Sequence, residues 1–348
     1  MAVGDTALFS GESYLGFGRE STYGTYVTGT AGIDFLSASL KTVKDAKILE
    51  QVERKRTMSK QFQLGKTVEG EIEFYVQPDT TAMGFILQNA FGGTATVATA
   101  TGETAGGSAL THTFAEGSMD QGYKSLSINH RKGPATGGKV WRYLGGRVNS
   151  LSLQGELNEP LKANATMIFK DSTQMSDDIE AQMTATAFEL LSFANGRLSV
   201  ETTFASLTST SFWHVQSVNF SLNNNLKNDN NARRIGSDVL AVLPIGVQSY
   251  ELSCSIRFDT TTAYDAMMNA TKLAAEFEFQ GPTLTTSIIR RGLKLQFQKV
   301  YVKDAGDPEI SGPDDVLMST VVFNVLRDES ASGYAVRAQM TNSIVNYT

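Results

Sequence analysis

Val68-Glu69-Gly70-Glu71-Ile72-Glu73-Phe74-Tyr75-Val76-Gln77, running on through Pro78-Asp79-Thr80-Thr81-Ala82-Met83-Gly84-Phe85-Ile86-Leu87-Gln88-Asn89-Ala90-Phe91-Gly92-Gly93, decides the fold class of this chain. In its first part Val68, Gly70, Ile72, Phe74 and Val76 alternate with Glu69, Glu71, Glu73, Tyr75 and Gln77. That two-residue period belongs to a strand with one face in a core and the other acidic. In its second part Met83, Ile86, Leu87 and Ala90 recur at three- and four-residue spacing. Asp79 offers an N-cap carboxylate and Gly92-Gly93 a C-terminal stop, so the spacing predicts a short amphipathic helix over 80–91.

The same unit recurs 180 residues later. Tyr250, Leu252, Cys254, Ile256 and Phe258 alternate with Ser249, Glu251, Ser253, Ser255 and Arg257, and Asp259-Thr260-Thr261 opens a helix with Tyr264, Met267 and Met268. Shifting by 180 lays Asp259, Thr260, Thr261, Asn269 and Ala270 on Asp79, Thr80, Thr81, Asn89 and Ala90. Looser matches agree: polar, partly basic segments at 40–56 and 222–234 precede the two strands, and Phe169-Lys170-Asp171 and Leu326-Arg327-Asp328 end closing strands. A tandem duplication of one β-rich domain is the simplest account. The boundary falls near residue 178, in the charged, apolar-poor stretch 171–182, giving a first domain over 1–178 with an N-terminal arm and a second over 179–348.

The remaining stretches fill in a mainly β chain. Residues 16–30, rich in Gly, Thr and Tyr, read as an extended or turn-rich arm lying on the surface, and 94–108, mostly Thr, Ala and Gly, as a long flexible loop. Residues 124–131 and 148–157 return to strand alternation.

Composition narrows the function. The 348 residues are 41% hydrophobic and only 19% charged, against a norm of about 25% charged, which excludes global disorder. At about 150 residues per domain the length suits two. The formal charge of −6 does not provide the basic footprint of a protein that grips a polyanion. A lone cysteine, Cys254, closes no intrachain disulfide and builds no thiolate metal site. Met1-Ala2-Val3-Gly4-Asp5 lacks the pattern of a signal peptide, and no stretch approaches the ~18 apolar residues of a membrane span, so a soluble, unexported chain with no membrane partner is expected.

Motifs for catalysis fail on inspection. His112, His130 and His214 are the only histidines, and Glu116, four residues after His112, has no third ligand nearby. Gly65-Lys66-Thr67 lacks the upstream glycine of a phosphate loop, since Lys60 stands there. Gly16-Phe17-Gly18 lacks the third glycine of a dinucleotide fingerprint. Gly106-Gly107-Ser108 is followed by Leu110 where a nucleophile elbow needs glycine. No enzyme, cofactor or metal is expected.

The opening Leu15-Gly16-Phe17-Gly18-Arg19-Glu20-Ser21-Thr22-Tyr23-Gly24-Thr25, the strand ending in Asp79 before a short helix, and the closing Val322-Phe323-Asn324-Val325-Leu326-Arg327-Asp328 with Ala338-Gln339-Met340-Thr341-Asn342-Ser343 resemble the tail tube proteins of long-tailed bacteriophages, in the group carrying two tube domains per chain. The resemblance covers most of the chain. It implies tandem duplicated β-sandwich, tail-tube-like domains, each with a short flanking α-helix, in subunits whose strands join into a continuous inner barrel. It also implies the major tail tube subunit of a virion tail, assembled in the host bacterial cytoplasm, polymerising as stacked rings into a hollow conduit for DNA ejection. The implied partners are the chain itself, the tape-measure protein, the tail terminator and tail tip proteins, and double-stranded DNA in non-sticking passage. Because single-domain members form hexamers, a two-domain chain implies a trimer with pseudo-sixfold symmetry.

Within that frame two sets of charges stand out. Glu69, Glu71 and Glu73 share a strand face, Glu251 occupies the place of Glu71 in the repeat, and Glu276 and Glu278 flank Phe277 in a later strand. They read either as a solvated sheet face or as a lumen lining that repels the phosphate backbone. Lys41, Lys44, Lys47, Arg54, Lys55 and Arg56, with Arg233 and Arg234 at the comparable point of the second half, read either as solvated loops or as partners for acids on the next ring. A different class of function, a tandem β-sandwich binding module for carbohydrate or surface adhesion, would use Tyr23, Tyr26 and Trp141.

Overall fold

A computed structural model describes the chain apart from residues 1–9, 51–56, 94, 104–106, 118–123, 135, 177, 181–188, 208–211, 259, 286, 307–315, 331–332 and 348. Strands β1 (Tyr14–Arg19), β2 (Ala31–Ile33), β3 (Ser37–Ala38), β4 (Lys41–Ile48) and β5 (Gln61–Tyr75) lead into helix α1 (Thr81–Phe91). After it come β6 (Thr96–Thr99), β7 (Leu110–Ala115), β8 (Leu126–Lys132), β9 (Lys139–Glu156), β10 (Lys162–Phe169) and β11 (Asp171–Met175). The later residues form β12 (Gly196–Glu201), β13 (Phe212–Trp213), β14 (Val215–Asn223), β15 (Ser249–Arg257), α2 (Thr262–Met268), β16 (Leu273–Thr283), β17 (Arg290–Ala305), β18 (Met318–Val325) and β19 (Val336–Asn342). The fold is mainly β, and these strands pair antiparallel.

One long sheet runs in the order β4, β5, β10, β9, β14, β15, β18, β17, with β3 continuing β4 along the edge of β5. Two further arrays lie on its apolar side. The first is β2, β1, β8, β9, β11, and the second is β13, β12, β16, β17, β19, β7, β6. Strands β9 and β17, 18 and 16 residues long, belong to the long sheet with one end and to an array with the other. Shared strands of this kind make the corners of a sandwich.

Ile72, Phe74, Leu151, Leu153, Ala165, Phe220, Leu252 and Phe323 from the long sheet meet Leu15, Phe17, Tyr143, Leu198, Phe277 and Phe297 from the arrays in a single core. Each leucine, isoleucine or phenylalanine among them, fully buried, contributes about 1.5–3 kcal/mol. The pairings made before residue 176 recur after residue 195. β1 with β2, β1 with β8, β5 with β10, β10 with β9, β9 with β8 and β9 with β11 are matched by β12 with β13, β12 with β16, β15 with β18, β18 with β17, β17 with β16 and β17 with β19.

Helix α1 forms where its period predicts, with its cap one residue later than expected. Thr80 is the N-cap, accepting from the Met83 amide at 3.4 Å, because Asp79 is held instead by Arg291 Nη1 at 2.5 Å. At the other end Gly92 adopts φ 73°, the left-handed C-cap that favours glycine, and its N–H bonds Gln88 O. Gly84 lets the Tyr347 ring approach the helix closely, since a Cβ there would stand 2.2 Å from it. In α2 the N-cap is Thr261; Asp259 lies outside the described residues.

Two expectations are corrected. The segment expected as a surface arm, 16–30, begins within β1, and its Phe17 is fully buried in a strand flanked by β2 and β8. Gly18 serves close approach, since a Cβ there would stand 2.7 Å from Val27 O, whereas Gly24, with φ 71°, makes a turn. The segment expected as a long loop contains β6, which pairs with β7 to form a hairpin, and β7 in turn joins β19.

Candidate functional site: the polar face of the long sheet

Because successive side chains of a strand point to opposite faces, the apolar face of the long sheet fixes the other. Opposite Leu151, Leu153, Phe220 and Leu252 lies a surface of hydroxyls and amides. One row across the strands reads Glu73, Asn164, Ser152, Ser221, Glu251, Asn324, Tyr301. The next reads Tyr75, Lys162, Gln154, Asn219, Ser253, Val322, Asp304. On the other side Glu71, Thr166, Ser150, Asn223 and Ser249 form a third. The middle of the face is uncharged, and carboxylates stand toward its flanks.

Glu69, Glu71, Glu73 and Glu251 are thus brought onto one surface, with Glu251 in the row of Glu73 rather than Glu71. They are not a bare acidic stripe. Lys162 Nζ reaches Glu73 at 3.7 Å, Lys303 Nζ reaches Glu251 at 3.6 Å, and Asn164 Nδ2 donates to Glu71 at 3.2 Å. At such exposure each pair is worth about 0–1 kcal/mol and leaves the field short-ranged.

Glu276 and Glu278 lie elsewhere, on β16 in the second array, nine-tenths buried. Arg197 Nη2 contacts Glu278 at 2.5 Å and Glu276 at 3.4 Å, while Lys294 Nζ lies 3.3 and 3.5 Å from them. Gln296 donates to Glu276 at 3.0 Å and itself accepts from Arg337. This is a paired network. Burying both carboxylates is tolerable because each has a cationic neighbour.

Of the expected basic residues, Arg54, Lys55 and Arg56 lie outside the described residues. Arg234 is exposed, and Arg233 docks on β5, donating to Lys66 O at 3.1 Å and Thr67 Oγ1 at 3.2 Å. Lys41, Lys44 and Lys47 line the exposed strand β4, with Lys44 3.0 Å from Asp238. Lys66 sits inside a strand, bonded to Asp171 at 2.5 Å.

Other candidate groups are structural. His112 Nε2 bonds Ile344 O at 2.8 Å, and burial pushes the His130 imidazole down to about 4, keeping it neutral at pH 7. Burial pushes the Cys254 thiol up to about 12. Tyr23 and Tyr26 carry cations on their ring faces, Arg147 and Lys170 on the first and Arg142 on the second, and Lys132 covers Trp141. Among the described residues no group of three or more His, Cys, Asp and Glu could hold a metal, and no helix is long and apolar enough to cross a membrane.

Two polar clusters had no sequence signal. Glu20, buried, accepts from Gly24 N–H, Ser125 Oγ, Ser127 Oγ and Gly145 N–H at 2.5–2.9 Å, pinning residues 20–24 to β8 and β9. Arg131, nearly inaccessible, pairs with Asp178 at 2.8 Å and Glu180 at 2.5 Å and donates to Glu12 O. Their partners lie far apart in the chain, so no local pattern could have found them.

The model of a family described as phage tail tube protein matches residues 11–325. A search of curated proteins gives no match.

Proposed function

Since the chain belongs to the phage tail tube proteins, a structural component of the virion tail, we propose that it is the major tube subunit, stacking as rings into a hollow conduit for DNA ejection and catalysing no reaction. The observation that supports this reading best is the long sheet: eight strands wide, one face apolar, the other lined centrally by Asn, Ser and Thr with no lysine or arginine in its middle row. A surface that offers phosphate no row of cations releases no counterions and so gives DNA no electrostatic grip.

In this reading the polar face lines the lumen, Glu69, Glu71, Glu73 and Glu251 stand along it, and Glu276 and Glu278 belong to the neighbouring sheet. The exposed β4 strand and Arg234, with Arg54, Lys55 and Arg56, serve ring stacking. The recurrence of strand pairings supports two tube domains per chain, 1–178 and 179–348, and a trimeric ring of pseudo-sixfold symmetry. The tape-measure protein, tail terminator and tail tip proteins are the expected neighbours, and assembly takes place in the host cytoplasm.

Negative-stain electron microscopy over a concentration series, with sedimentation velocity on the same samples, tests the proposal. Hollow tubes or discrete rings are expected. A chain that remains monomeric at high concentration would point instead to the binding module.

A further inference from the structure

Two strand pairings join the chain's two halves, β7 with β19 in the second array and β9 with β14 in the long sheet, and the second continues the polar face from one half to the other. Beyond Val148, β9 has β10 on one side and β14 on the other, with Leu151 opposite Leu222, Ser152 opposite Ser221 and Leu153 opposite Phe220. The recurring pairings locate the counterparts of both strands. Ile72 and Leu252, 180 residues apart, face Ala165 and Phe323, which in turn face Leu151 and Val302. On their other side the same two residues face Ala38 and Phe220. The counterpart of β9 is therefore the end of β17, and the counterpart of β14 is β3 with its flanks.

Both counterparts are open. The end of β17 beyond Val300, at 301–305, pairs with β18, and among the described residues no strand pairs with its other edge. Among the described residues strand β3 pairs with β5 alone. Unpaired edges of this kind are templates for another strand. The side chains agree: Val218 in β14 is 3% exposed, whereas Leu36, its counterpart beside β3, is 47% exposed. Helix α1, beside the made junction, is buried from Ala82 to Phe91, while α2, beside the open one, leaves Tyr264 and Met268 41% and 64% exposed.

We infer that the open edge of β17 takes β3 of a second copy of this chain, antiparallel, with Ala305 opposite Ala38 and Asp304 opposite Ser39, repeating between chains the junction β9 makes with β14. The inference rests on the tube reading and names the surfaces by which its subunits join. The two edges differ, so the contact is head-to-tail, and repetition with closure gives a ring.

Cysteine pairs test it. Directly opposed residues of antiparallel strands have Cα atoms about 4.5–5.5 Å apart, within disulfide range. Full-length Ser39→Cys and Asp304→Cys chains, mixed, assembled and oxidised, should give a cross-linked dimer that neither variant gives alone. The double variant should give a ladder ending at the ring size. Hydrogen exchange on wild-type tubes supplies a second readout: amides at 36–39 and 301–305 should slow at least tenfold on assembly. Rings or tubes with neither cross-link nor added protection would overturn the junction and leave the tube reading standing. Wild-type protein that never assembles would overturn the tube reading and the junction with it.

Discussion

Asn224 closes the corner where β9, β14 and the end of α1 meet, and its removal should loosen that corner measurably. The side chain is buried; its Nδ2 donates to Ala90 O at 2.9 Å and to Val148 O at 2.8 Å, and its Oδ1 accepts from Gln248 Nε2 at 2.6 Å. Ala90 O is one of the last carbonyls of α1, which has no partner within the helix. Asn224→Ala strands both carbonyls, each at about 1–3 kcal/mol, so a loss of about 3 kcal/mol is expected. Asn224→Asp keeps the shape but aims an anion at two carbonyl oxygens. Burial and those oxygens raise its folded pKa above the unfolded value, so stability is present in acid and lost as pH rises through the raised value. Thermal unfolding of the unassembled chain reads both effects. At about 2–4 °C per kcal/mol, Asn224→Ala should melt roughly 6–12 °C below wild type. Asn224→Asp should melt lower still at pH 7 and recover toward pH 4. An Asn224→Ala chain melting within about 1 °C of wild type, or an aspartate variant indifferent to pH, would refute the reasoning.

Phe17→Ala should cost about 3–5 kcal/mol in urea unfolding, because Phe17 is fully buried; a surface-arm position would cost almost nothing. Burial pushes the Asp178 carboxyl up, but hydrogen bonds from Tyr14 and Arg131 outweigh it and hold the group below the usual range. Its contribution is present above the ordinary carboxylate pKa and lost as pH falls through the folded value, so Asp178→Asn should flatten the acid limb of melting temperature against pH. The His130 imidazole, pushed down to about 4 by burial, leaves the unfolded chain binding more protons between about pH 6.5 and 4, and stability should fall across that window; an imidazole resonance titrating near 6.5 in the native chain would contradict this. Cys254 should resist a maleimide in the folded chain and react fully in denaturant.

The strand and helix over 68–91 were legible because both carry their periods in neighbouring residues, and the 180-residue echo marked the second unit. Capping differed by one residue because the choice between Asp79 and Thr80 was made by Arg291, more than two hundred positions away. Strand β1 was hidden by Gly16 and Gly18, which read as turn residues but serve close backbone packing against 27–29. The glutamates separate for a similar reason. Glu71 and Glu276 sit in equally regular alternation, yet whether the face beyond them is water or Arg197 and Lys294 depends on which strands arrive alongside. The uncharged middle of the face, Ser150, Ser152, Asn219 and Ser221, shows alternation but no chemistry, so only the sheet reveals that these residues form one surface.

On the proposed reading, in which that surface lines the lumen, it changes the physical account of a non-sticking wall. A lining of bare glutamates would act by repulsion and fade with salt, since charges separated by more than about 8 Å are screened at physiological ionic strength. Here Glu73 and Glu251 each have a lysine within 4 Å, and the residues between them in the row, Asn164, Ser152 and Ser221, carry no charge. On that reading non-adhesion would come from a wall without a row of cations rather than from a dense negative field. The two accounts diverge with ionic strength: a repulsive wall loses its effect as salt rises, whereas a neutral wall behaves alike throughout. Ser152 and Ser221 face each other across β9 and β14, so lysine at both positions would place two cations mid-wall and, on the neutral account, convert passage into salt-sensitive binding.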